Sequence, residues 1–115
     1  MDLLPLDVFE RHVASAISDL GDEVQAMVEN VVIVIEDENV EEPGILGLYE
    51  GLPLTERDGY GLLDLPDKIS IYRLPLCAMC SDIDELVSEI RITVLHEIGH
   101  HFGIDDDRLH DMGWG

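Results

Sequence analysis

Residues 6–20, LDVFERHVASAISDL, place Phe9, Val13, Ala16, Ile17 and Leu20 three and four positions apart, the single apolar stripe of an amphipathic helix. Asp7 and Glu10 suit a capping-box-like start, Gly21 suits the stop, and residues 22–29 read as a second, shorter helical piece. His12 lies beside the stripe and reads as a helix-surface or packing histidine. The pattern then changes to VVIVI at 31–35, a continuous β-branched run that predicts a strand covered on both faces. After the charged loop EDENVEEPG, the stretches 45–51 (ILGLYEG) and 59–65 (GYGLLDL) predict two shorter strands, joined by a loop carrying Pro53, Arg57 and Asp58. In KISIYRL, 68–74, Ile69 and Ile71 alternate with Lys68, Ser70 and Tyr72, the mark of a half-buried strand.

The strongest helical pattern follows. Ser81 is a good N-cap with Asp84 three positions on, and acids fill the first turn as the helix dipole favours. Ile83, Leu86, Val87, Ile90, Val94 and Ile98 trace its apolar stripe, and Gly103 closes it. Helix, about four short strands, long helix and short tail predict an α+β fold in one domain spanning residues 1–115.

Charge narrows the partners. Against 26 Asp and Glu stand 6 Lys and Arg, a net charge of −20. Such a field repels phosphate backbones and anionic lipid, so no nucleic acid and no membrane partner is expected. Its plain reading is a solvated acidic surface; it also favours cationic or neutral substrates. Asp2, Pro5 and Asp7 interrupt what a secretory signal would need, which predicts a cytoplasmic protein with reduced thiols. Cys77 and Cys80, in CAMC, lack the second pair of a four-thiolate zinc site, and they read as loop thiols rather than a redox pair. Oligomeric state is not legible.

The chemistry sits at 96–106, HEIGHHFGIDD, which holds three of the five histidines. His96 and His100 are four apart, hence about 40° and 6 Å apart on one helix face. Two imidazoles so spaced can converge on a tetrahedral zinc ion, with Glu97 off to the side as general base, the H-E-x-x-H arrangement. A third ligand must come from the few residues after the Gly103 turn. In H-E-x-x-H-x-x-G-x-x-H a histidine stands where this chain has Asp106, a competent carboxylate ligand. Asp105, Asp107 and His110 are its rivals. His101, turned about 100° from the pair, reads as a surface residue or a support behind the ligands.

The stretch HEIGHHFGIDDDRLHDMGW, with LPDKISIYR and NVVIVIED, resembles the small bacterial zincin-like metallopeptidases. The resemblance implies a small twisted mixed sheet packed on an N-terminal helix and a C-terminal active-site helix. It implies zinc held by His96, His100 and Asp106, with Glu97 as base in peptide hydrolysis. It further implies a substrate laid along an edge strand, which would be residues 61–65. The chain departs from larger relatives in having Asp106 for the third histidine and no clear methionine turn; Met112 and Trp114 read as packing residues, and Tyr72 and Arg73 as structural rather than oxyanion-stabilising. The rival readings are a non-catalytic metal-binding module, a metal-dependent ribonuclease and a hydrolase using Cys77 or Cys80 as ligand. The acidic charge argues against the second, and the remoteness of both cysteines from His96 against the third.

Overall fold

The computed structural model describes residues 1–27, 31–51 and 67–111. Their elements are α1 (Leu6–Asp19), α2 (Asp22–Met27), β1 (Val31–Glu36), β2 (Gly47–Glu50), β3 (Asp67–Tyr72), α3 (Arg73–Met79), α4 (Ile83–His101) and α5 (Asp106–Asp111). The architecture is mixed α and β with a three-stranded mixed sheet among the described residues, in the order β1-β3-β2. β1 runs parallel to β3, pairing Ile33 with Ile69, and β2 runs antiparallel, pairing Tyr49 with Ile69 from the other side. The strand expected at 59–65, its loop, and Met112 and Trp114 lie outside the described residues. No helix among the described residues is long and apolar enough to cross a membrane.

The stripe on α1 buries Phe9, Val13 and Ala16 against α4. Its start is set by Pro5, whose fixed φ suits the position before a helix, with no side-chain cap; the capping box expected from Asp7 and Glu10 does not form. Asp7 instead meets Arg11 at 3.5 Å, an exposed pair of little energetic consequence. α4 is capped one residue later than Ser81: Asp82 accepts from the Glu85 N–H at 2.8 Å, while the Glu85 carboxylate accepts from the Ser81 N–H at 3.0 Å. Asp caps as well as Ser, and this register alone puts a glutamate at the third helical position to complete the exchange.

The two strand readings exchange places. Among the described residues VVIVI forms an edge strand with Val32 exposed, whereas KISIY is central and buries Ser70 and Tyr72 as well as both isoleucines. The helices cover one face of β3. Over the other, the chain after β1 returns, so that Asn39 donates to the Tyr72 hydroxyl at 3.0 Å; the Tyr72 N–H bond to the Leu46 carbonyl, at 3.0 Å, extends the β2–β3 ladder by one pair. Alternating polarity therefore marked a largely buried strand, in which Tyr72 has a loop partner, Lys68 pairs with Glu36 and Glu50 at its exposed tip, and the Ser70 hydroxyl is enclosed without a hydrogen bond among the described residues.

RLPLCAM is a helix, α3, not a loop. Pro75 sits in its first turn, where no intrahelical N–H is required. Both cysteines are buried free thiols, Cys77 on α3 and Cys80 at its end. Burial, then the carboxylates of Glu85 and Glu89, pushes the Cys80 thiol above its ordinary range, the opposite of a reactive redox cysteine. Tyr72 and Arg73 are structural: the Arg73 guanidinium donates to the Leu4 carbonyl at 2.6 Å and to Asp37 at 2.8 Å.

Candidate metal centre

α4 carries the site because its apolar stripe fixes its roll. With Leu86, Ile90, Val94 and Ile98 fully buried, His96 and His100 are presented at the rim of the core, half-buried. Their rings meet edge to face at 4.6 Å between centroids. After His101 the helix ends on Phe102, and Gly103 takes φ 77°, a left-handed conformation that turns the chain back cheaply. Asp105 then caps α5, accepting from the Arg108 N–H at 2.9 Å. Asp106, the first residue of α5, faces the histidines: its Oδ1 lies 3.0 Å from His96 Nε2 and 2.8 Å from His100 Nε2.

Gly99 makes this return possible. A Cβ there would collide with the Leu109 side chain, which is fully buried. The only residue of α5 that enters the core thus sits on the glycine between the two histidines. That contact holds α5, and with it Asp106, over the imidazoles. Among the rivals for a third ligand, Asp105 is engaged as a cap, and Asp107 and His110 are exposed on α5.

Glu97 is buried, as its position one step round from the pair requires. Its Oε1 lies 3.2 Å from His100 Nδ1, so the His100 ring bridges two carboxylates. Burial raises the Glu97 carboxyl above its ordinary range, opposed by His100, His96 and the Tyr49 backbone N–H. The Asp106 carboxyl is held below its usual range, chiefly by its hydrogen bond with His100. The two carboxyls are pushed apart by their surroundings, a pattern common where groups have separate chemical roles.

His101 is not a surface residue. It is 5% exposed, and its Nδ1 lies 2.6 Å from Asp67 Oδ2, which also accepts from the Tyr49 hydroxyl at 2.7 Å. Its ring also meets Tyr49 at 5.7 Å and Phe102 at 5.2 Å. The cluster fastens the last turn of α4 to β2 and β3. Sequence reasoning missed Asp67 and Tyr49, since neither lies near the motif in the chain; consecutive histidines, which cannot share a face, were the available signal.

The donor set suits a zinc ion. Bonds of 2.0–2.1 Å in tetrahedral array separate ligand atoms by roughly 3.3 Å. His96 Nε2 and His100 Nε2 already approach Asp106 Oδ1 to 3.0 and 2.8 Å, so small outward shifts suffice. His96, Glu97 and His100 also form a cluster of potential ligand atoms within 4.8 Å of one another. Beside it opens a groove of about 610 Å³ between α4 and the segment 44–49, lined among the described residues by His96, His100, Glu97, Asp106, Glu42, Glu89 and several apolar side chains, with no lysine or arginine among them.

A mixed sheet against a helix bearing H-E-x-x-H defines a zincin-type protein, and the comparisons agree. The chain belongs to the zincin-like metallopeptidase family, whose model matches residues 12–114. Its fold is similar to that of a conserved hypothetical protein from Thermus thermophilus, with a TM-score of 0.58 and 22% identity over 94% of this chain and 99% of that one. No curated protein matches the chain.

Proposed function

We propose that this protein is a zinc-dependent peptide hydrolase with His96, His100 and Asp106 as metal ligands and Glu97 as general base. The observation that carries the reading is the convergence of both Nε2 atoms on one Asp106 oxygen at the mouth of an open groove, with a buried glutamate beside them. Bound zinc would lower the pKa of a water ligand towards neutrality and polarise a carbonyl.

The remaining work falls to the chain. His100, held between Glu97 and Asp106, fixes the orientation of its ring. Glu97, with its carboxyl raised by burial, accepts a proton from the attacking water and returns it to the leaving amine. An extended peptide would lie in the groove along β2. The Tyr72–Leu46 hydrogen bond sets the alternation of that strand, turning the peptide groups of Gly47 and Tyr49 away from β3, and the Tyr49 N–H accordingly meets Glu97. Among the described residues β2 is the candidate edge; residues 61–65 lie outside them. The groove's acids, with no lysine or arginine among its described lining residues, speak against RNA as substrate.

One observation favours a second reading. The 3.2 Å contact to His100 Nδ1 is also what a ligand-orienting carboxylate would make, which would suit a non-catalytic metal-binding module. The test is hydrolysis of a mixed peptide library by the zinc-loaded protein. Cleavage is expected to stop on chelation and return with zinc; cleavage that survives complete removal of metal, or none with zinc bound, would overturn the proposal.

A further inference from the structure

We infer that the groove selects an extended peptide carrying a lysine or arginine about three residues from the cleaved bond, received by Glu89 and Glu42; the inference rests on the peptide-hydrolase reading above. Glu89 precedes His96 by seven positions on α4, which returns it to within about 20° of the same face and roughly 10.5 Å away along the axis. An extended peptide rises about 3.3 Å per residue, so that distance spans roughly three residues. Between them Thr93 turns its hydroxyl onto the Glu89 carbonyl at 2.8 Å and leaves its methyl as a small apolar floor.

β2 runs alongside in the same sense. A Cβ on Gly47 would lie 2.7 Å from Thr93 Cγ2 and 3.3 Å from Glu97 Cγ, and two residues on the Tyr49 N–H meets Glu97. Followed backwards, the segment therefore leads towards Glu89, where a turn closed by the Ile45 N–H on the Glu42 carbonyl at 3.2 Å brings in the second carboxylate. Both line the groove, whose walls at Ile45, Leu48 and Ile92 suit the aliphatic stem of a long basic side chain. Among the described residues neither carboxylate has a cationic partner; Arg91, close by on α4, is paired with Asp19 at 2.7 Å. The groove's charge is thus complementary to a cation at one end and open to any backbone at the other.

The probes are decapeptides of alanine and leucine in which one lysine, or one norleucine of similar length, is walked along the chain. With zinc-loaded protein, lysine about three residues from the cut should exceed norleucine about fivefold in kcat/KM, the upper end for a partly exposed pair. The preference should vanish in Glu89→Gln, invert in Glu89→Lys, shrink with salt, and persist in Glu10→Gln, which removes one charge from exposed α1. Equal rates for lysine and norleucine, or an equal loss in Glu10→Gln, would overturn the inference while leaving hydrolysis standing. If no peptide is cut, the hydrolase reading fails, and fluorescence anisotropy with the same peptides decides the groove: a lysine preference removed by Glu89→Gln supports it, and none overturns it.

Discussion

A Glu97→Gln protein is expected to keep its zinc and to hydrolyse peptides about 10²- to 10⁴-fold more slowly than the native chain, the usual contribution of a positioned general base. Glutamine preserves the shape of the buried side chain and can still accept from the Tyr49 N–H, so the fold should survive. What it loses is the ability to take a proton. The variant also separates the two roles that the structure allows Glu97. If the carboxylate serves only to orient His100, zinc affinity should fall roughly 10- to 100-fold, as when supports behind metal ligands are removed, with turnover following occupancy. Paired measurements of zinc affinity and kcat on the same preparation distinguish these outcomes.

The second large effect is expected from a residue that touches no substrate. Gly99→Val puts two methyl groups where Leu109 already packs against the helix backbone. Both are fully enclosed, so the added volume should cost about 1–3 kcal/mol, the range for overpacked cores. α5 is only six residues long and cannot absorb the displacement without carrying Asp106 off the histidines. Zinc affinity should therefore fall at least about tenfold, by comparison with the loss of a ligand's support. Leu109→Ala in the same chain relieves the collision and should recover part of both losses. Chemical denaturation in excess chelator, with zinc affinity measured separately, checks each. Native stability and affinity in Gly99→Val would show that the close approach does not position Asp106.

The motif was legible because it is local. H-E-x-x-H on a helix whose stripe runs through Leu86, Ile90, Val94 and Ile98 fixes which face the histidines occupy, and Gly103 announces the turn that follows. Asp106 came from spacing, and the structure does bring it against both rings. The remainder depends on contacts distant in sequence. Tyr72 looks half-exposed until the chain after β1 meets its hydroxyl through Asn39, and VVIVI looks central until β3 takes the middle of the described sheet. α3 and α5 are too short to show a period, and Pro75 further disguises the first. The His101–Asp67–Tyr49 cluster joins three elements separated by 18 to 52 positions, and no local rule pairs them. Gly99 carried a signal of its own: a glycine inside a strong helix costs about 1 kcal/mol, which points to a close neighbour.

The central claim is that His96, His100 and Asp106 form one zinc site. Competition of the purified chain against a chromophoric zinc chelator measures this without reference to any substrate. The native chain should take up one zinc ion per molecule, His96→Ala/His100→Ala should take up none at the same chelator strength, and Asp106→Asn should bind more weakly than native. Zinc uptake by the double variant equal to that of the native chain, or no uptake by the native chain, would contradict it.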